Sequence, residues 1–237
     1  INLNDKLFQR VKAVYAQRAK LGLNAEQAKL LDDQYKRFVR GGANLPPAKK
    51  DGFRKINEEL SLLGLKFDEN VLKETNRFAL VIKNKEDLDG LPQNVIDGAA
   101  EAGRKKGLDG KWVFTVHKPS MIPFLQYAKN RALREELLKA YIMRGDNNNE
   151  FDNKGTVARM ASLRVQRAHL LGYKTHADYV EEKNMAKTPS AVYAFLNKLW
   201  KPALKNAKKE RDEMQALVRK EGGAFKLQPW DWWYYAE

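Results

Sequence analysis

Apolar residues recur at spacings of three and four through most of this chain, and that period predicts helices. Leu7, Val11, Val14 and Tyr15 share one face of a first helix, which Gly22 stops. Asn24 with Gln27 three residues on has the form of a capping box for a second helix, carried by Ala28, Leu31, Tyr35 and Phe38 and ended at Gly41-Gly42. Beyond the tight connector Leu45-Pro46-Pro47, a third helix turns Phe53, Ile56, Leu60 and Leu63 inward and closes at Gly64. Asp68 then caps a fourth through Val71 and Leu72 towards Asn76. No repeat period appears that would make the array a solenoid.

The texture changes once. Phe78 to Ile82 and Trp112 to Val116 are rich in β-branched and aromatic residues and are bounded by turn formers, which predicts two strands. Pro92 to Lys106 between them reads as a helix, with Val95, Ile96, Ala99 and Ala100 available for packing. Strand, helix and strand in that order predict a small crossover unit with parallel strands.

Helical periodicity returns after Pro119, over Met121 to Lys129 and Arg131 to Met143, and the polar cluster GDNNN at 145–149 predicts an exposed loop. Asp152 or Asn153 can cap the next helix, whose stripe Val157, Ala161, Val165, Ala168 and Leu171 is widened by Met160, Leu163 and Leu170. So wide a stripe predicts a largely buried helix, ended by Gly172. Thr188-Pro189 opens a long amphipathic helix with Val192, Leu196, Leu199, Ala203, Ala207, Met214 and Leu217 along one side, and Pro202 is expected to kink it. Gly222-Gly223 terminates that helix before Pro229 starts a final aromatic segment. The fold class expected is mainly α, a multi-helix array with one small strand-helix-strand insertion as a minor β-sheet. Its parts are a helical segment 1–77, the strand-helix-strand unit 78–118 and a helical segment 119–237.

LRVQRAHLLGYKTHADYVEEKNMAK, from Leu163 to Lys187, resembles the corresponding helices of the thimet oligopeptidase family of zinc metallopeptidases. The last residues, QPWDWWYYAE, resemble that family's Trp-Asp-x-x-Tyr-Tyr helix. NRFALVIKNKEDLDGLPQ and GKWVFTVHKPSMIPFLQYAKNRALREELLKAY resemble its bacterial dipeptidyl carboxypeptidase branch. The resemblance implies a parent enzyme that removes C-terminal dipeptides from short peptides in a channel between helical halves. In that family two histidines of a His-Glu-x-x-His helix and a downstream glutamate hold zinc, and the motif glutamate is the general base. This chain has three histidines, His117, His169 and His176, and none is followed by glutamate.

The resemblance therefore implies the non-catalytic part of such an enzyme, truncated at both ends. Zinc is the cofactor of the intact parent and is not expected on this chain. Oligopeptide substrates and the missing catalytic half of the same polypeptide are the expected partners. The candidate substrate-channel residues are Trp230, Trp232, Tyr234, Tyr235, Tyr173, His176 and Tyr179; no catalytic or metal residue is assigned. Trp230, Trp232, Trp233, Tyr234 and Tyr235 cannot all face one core, so a partner surface is expected for at least one, the missing half ahead of substrate.

Composition adds a competing class. Lys and Arg number 44 against 30 Asp and Glu, a net charge of +14, which raises the alternative of a basic helical nucleic-acid-binding module. The clusters Lys49-Lys50, Arg104-Lys105-Lys106 and Lys205 with Lys208-Lys209 are short and mixed with acids, which favours solvated helix faces and no specific nucleic acid. A helical scaffold without chemistry is the other alternative. The absence of cysteine excludes disulfides, thiolate metal sites and cysteine nucleophiles. His169 and His176 are seven apart, but Gly172 breaks their register. The neighbours Glu58-Glu59, Glu135-Glu136 and Glu181-Glu182 point about 100° apart on a helix and read as surface. Apolar runs such as FALVI fall far short of the roughly 20 residues that span a bilayer, so no membrane partner is expected. Nothing at the N-terminus reads as a signal peptide, so the expected compartment is the cytoplasm, with the periplasm as the alternative if excision removed a leader.

Overall fold

A computed structural model describes residues 4–236 of the chain. Its helices and strands run α1 (Asp5–Ala16), α2 (Ala25–Arg40), α3 (Pro47–Arg77), β1 (Leu80–Ile82), α4 (Gln93–Lys105), β2 (Trp112–Phe114), α5 (Lys118–Tyr127), α6 (Arg131–Ile142), α7 (Lys154–Leu170), α8 (His176–Glu181), α9 (Pro189–Lys220) and α10 (Trp232–Ala236). The fold is mainly α with a minor two-stranded sheet, as the periodicity predicts. No helix among the described residues is long and apolar enough to cross a membrane. The chain forms two compact units, one from the chain up to Leu65 with Thr156–Val192, the other from Lys66–Gly155 and the chain from Tyr193 onward.

In the first unit Phe8, Phe38 and Ala43 are buried together, with Val11, Tyr35 and Val39 packed against them. The predicted capping box starts α2: Asn24 Oδ1 accepts the Gln27 N–H at 2.9 Å, and Gln27 Oε1 accepts the Asn24 N–H at 3.1 Å. The rings of Tyr15 and Tyr35 stack at 3.9 Å, and the Tyr15 hydroxyl donates to Asp32 at 3.1 Å. Beyond α2 the chain turns at Gly42 with φ +89, and the Phe53 ring lies 2.8 Å from where a Cβ would stand, so both conformation and space require glycine. α7 is less buried than its wide stripe predicts. Leu163 and Ala168 are buried, but Val157 and Val165 are half exposed, because only one edge of the stripe finds a neighbour.

The second unit has the larger core, built on Leu80, Ile82, Phe114, Val116, Phe124 and Leu137. Its strands pair antiparallel, Leu80 with Phe114 and Ile82 with Trp112, which corrects the parallel expectation. Strands of three residues are only ~10 Å long, so the segment from Lys83 to Pro92, with its own 3-10 turn at Lys85–Leu88, can carry the chain back before α4 begins. The strand-helix-strand order therefore leaves the direction open. A second correction concerns α3, which is one helix where two were expected. Glycine inside a helix costs about 1 kcal/mol but does not end it unless the next residues favour another conformation. The Lys73–Glu69 pair at 3.3 Å and the Thr75 hydroxyl donating to the Val71 carbonyl at 2.7 Å support the continuation.

The 145–149 loop is wrapped on Glu74, which is 7% exposed. The carboxylate accepts the Gly145 N–H and the side-chain amides of Asn147 at 2.7 Å and Asn149 at 2.6 Å. Burial pushes its pKa up, but these donors outweigh burial and hold it below the ordinary value. Behind it Asn153 accepts from Asn70 at 3.0 Å and donates to the Phe67 carbonyl at 3.1 Å, while Asp152 accepts the Lys154 N–H at 2.9 Å where α7 begins. α9 runs through Pro202 without interruption, and of its predicted inner side Met214 is buried whereas Leu196, Leu199 and Leu217 are exposed.

Candidate functional site

Four of the predicted site residues, Trp230, Trp232, Tyr234 and Tyr235, lie in the second unit with Asp231, the aspartate of the Trp-Asp-x-x-Tyr-Tyr pattern, which is not among the predicted site residues. Asp231 closes the 3-10 turn Pro229–Asp231 and is fully buried. Asn130 caps α6 by accepting the Leu133 N–H at 3.2 Å, and the helix then presents Arg131 and Arg134 three residues apart, on one face. Arg131 reaches Asp231 through Nε at 2.9 Å to Oδ1 and Nη2 at 2.9 Å to Oδ2, a two-pronged pairing. Arg134, 2% exposed, donates to Asp231 Oδ1 at 3.0 Å and to the carbonyls of Trp230 at 3.2 Å, Ala128 at 2.6 Å and Lys129 at 3.2 Å. The Gln228 N–H supplies a further donor to Asp231 at 3.0 Å.

Aromatic rings enclose these charges. The Arg134 guanidinium lies 4.2 Å from the Tyr234 ring centre, and that of Arg131 lies 4.3 Å from Phe225 and 5.3 Å from Trp230. Such placements favour a desolvated cation. Tyr234 and Tyr235 meet edge to face at 5.1 Å. A cavity of about 530 Å³ opens at the tryptophans of this run, lined chiefly by Leu125, Leu138, Ile142, Trp230, Trp232 and Trp233. The buried Trp230 Nε1 has no hydrogen-bond partner. Trp233, 39% exposed, is the ring of this run most open to solvent.

The other three, Tyr173, His176 and Tyr179, are brought together in the first unit. Gly172, at φ +85, turns the chain out of α7, and Thr175 caps α8 by accepting the Asp178 N–H at 3.1 Å. Arg40, at the end of α2 and 9% exposed, pairs with Glu182, donates to the Tyr173 hydroxyl at 3.2 Å and donates to the Tyr179 carbonyl at 2.6 Å. The Tyr173 hydroxyl donates to Glu182 at 2.6 Å, and the Tyr179 ring lies 4.2 Å from the Arg40 guanidinium. His176 stacks on Tyr179 at 6.1 Å with its buried Nδ1 unpartnered.

Three titrations bound the stability of this cluster. Burial, then the charges of Arg167 and Arg164, hold His176 below its ordinary 6.5, so the folded form resists a proton that the unfolded chain accepts. Stability present above pH 6.5 is lost as pH falls below it. For Glu182, burial pushes the pKa up, but hydrogen bonds from Tyr173 and Arg40 outweigh it and hold the group below 4.5, so its contribution is lost as pH falls through the lowered value. Tyr173 is pushed up to about 12 by burial and by Glu182, so its contribution is present below pH 10 and is lost as pH rises towards 12. Amide exchange in α8, corrected for intrinsic rate, should therefore quicken at both extremes. His176→Phe should remove the limb that begins near pH 6.5; retention of that limb would assign it to another group.

None of this fits a metal. His117 Nδ1 lies 3.2 Å from the Thr115 hydroxyl, His169 Nε2 lies 3.1 Å from the Lys174 carbonyl, and His176 faces two arginines that repel a cation. No group of three His, Cys, Asp or Glu that could hold a metal ion occurs among the described residues.

Residues 124–237 match the family model described as Peptidase family M3, and the whole chain aligns with dipeptidyl carboxypeptidase of Escherichia coli (strain K12) at 36% identity. Over residues 124–237 the chain is similar to peptidase family M3. Other relatives include oligopeptidase A of Haemophilus influenzae, 34% identical over 89% of the chain, and organellar oligopeptidase A of Arabidopsis thaliana, 31% identical over 98%. The alignments cover 35%, 31% and 30% of these three relatives, so the chain spans about a third of their length. The Arg131–Arg134–Asp231 node lies entirely within the M3 match, whereas Arg40 lies outside it.

Proposed function

We propose that this chain supplies the non-catalytic helical part of a zinc peptidyl-dipeptidase. It forms a wall of the channel that admits oligopeptides and limits their size, while zinc, its ligands and the general base come from sequence beyond it. The single observation that carries this reading is the 36% identity to a dipeptidyl carboxypeptidase over all 237 residues. Trp230 and Trp232, which line the 530 Å³ cavity, and Tyr234 and Tyr235 after them are the proposed substrate-facing residues on one unit. Tyr173, His176 and Tyr179 are those on the other.

The nucleic-acid reading gains little from the structure. Pairs one helical turn apart, such as Lys36–Asp32 at 2.7 Å, Lys55–Asp51 at 3.1 Å and Lys105–Glu101 at 2.7 Å, give those helices both signs of charge.

The test is a chimera in which this chain replaces the aligned third of the Escherichia coli dipeptidyl carboxypeptidase. Zinc-dependent release of C-terminal dipeptides from a short peptide, with none from a folded protein, is the expected result. The chain alone should release nothing with or without zinc. Dipeptide release by the chain alone, or a folded, zinc-loaded chimera without activity, would overturn the proposal.

A further inference from the structure

An unpartnered apolar surface runs along α9, apart from the aromatic C-terminal segment. Every residue from Tyr193 to Glu213 is exposed, and burial in this helix begins only at Met214. Tyr193 is 67% exposed, Phe195 62%, Leu196 52% and Trp200 63%. At 3.6 residues per turn, Phe195, Leu199, Ala203, Leu196, Ala207, Trp200, Tyr193 and Leu204 fall within roughly half the circumference. Lys198, Lys201, Lys205, Lys208 and Lys209 fill the opposite arc, and no acid occurs on the helix before Glu210. An apolar half with no charge inside it, backed by a half whose only charges are lysines, is the pattern of a helix seated on a protein surface with its other side in water.

What seats it is indicated by the M3 comparison. α9 lies inside the matched residues 124–237, and the Escherichia coli relative aligns with all of this chain over only 35% of its own length. Most of that relative is therefore polypeptide available to cover the helix. We propose that the apolar face of α9 between Tyr193 and Ala207 docks the remaining body of an M3 peptidase, leaving its lysines in solvent. The proposal rests on the functional reading above.

Hydrogen-exchange mass spectrometry of the isolated chain and of the chimera tests it. Amides from Tyr193 to Lys209 should exchange at least tenfold more slowly in the chimera. Leu196→Glu with Trp200→Glu should reverse the slowing, whereas Lys198→Gln with Lys205→Gln should not. Slowing confined to Trp230–Ala236 would overturn the proposal. So would self-association of the isolated chain in sedimentation that the Leu196→Glu, Trp200→Glu pair abolishes, which would make the occupant a second copy. Lysine-dependent binding to phosphatidylglycerol/phosphatidylcholine vesicles would make it a lipid surface and overturn it equally.

Should the chimera not fold, the isolated chain decides: it should bind an apolar fluorescent dye and lose most of that signal in the Leu196→Glu, Trp200→Glu pair with unchanged circular dichroism. Undiminished dye binding overturns the proposal. An inactive chimera with α9 protected would sink the functional reading and leave the docking face standing. An active chimera with α9 unprotected would do the reverse.

Discussion

Asp231→Ala is expected to lower the stability of the second unit by about 3–5 kcal/mol, the cost of removing one partner from a buried ion pair. The reason lies with Arg134, which is 2% exposed and keeps three carbonyl acceptors but loses its counter-charge. Arg131, 31% exposed in its side chain, can turn to water and contributes less to the loss. The Gln228 N–H and the turn Pro229–Asp231 also lose their acceptor, so the aromatic segment should come loose before the rest unfolds. Denaturant unfolding followed by tryptophan fluorescence measures the loss. Adding Arg134→Met to Asp231→Ala should recover part of it, because the second change removes the stranded charge. If Asp231→Ala costs under about 1 kcal/mol, in the range of an exposed pair, the node is not what fixes the segment.

How the sequence reveals some of this and hides the rest follows from the range of each interaction. The Asn24–Gln27 capping box, the Gly172 stop and the two strand segments are set by neighbours within a few residues, and each is found where its local pattern puts it. Strand direction is set by what the Lys83–Pro92 connection does, and residue types do not encode that. Gly64 does not end α3, because a helix tolerates an internal glycine when Leu60, Leu63 and Phe67 continue the apolar period. The central charges are hidden for a different reason. Arg131, Arg134 and Glu135 on α6 have the local pattern of a solvated face, and only the arrival of Asp231 about a hundred residues later makes that face an interior. Arg40 likewise gathers Tyr173, Tyr179 and Glu182 from far along the chain. On α9 periodicity correctly marks an apolar side, but an amphipathic pattern states that a face needs cover and not that the cover is present.

Glu74 carries the second large effect. Replacing it with alanine should cost about 3 kcal/mol or more, because hydrogen bonds to a charged acceptor contribute roughly 1.5–3 kcal/mol each and a buried donor left unpaired adds its own penalty. Three donors depend on the carboxylate: the Gly145 N–H and the amides of Asn147 and Asn149. Glu74→Gln should be milder, since an asparagine amide can rotate to present its oxygen to the new NH₂, whereas the Gly145 N–H cannot turn away. The pH dependence separates charge from packing. The folded pKa of Glu74 is held below 4.5, so its contribution is present above pH 4.5 and lost as pH falls through the lowered folded value. Unfolding free energy measured from pH 6 down to pH 3 should therefore fall less steeply in Glu74→Gln than in the parent chain. An identical acid slope in the two would show that the 145–149 loop is held by its asparagines and backbone and not by the Glu74 charge.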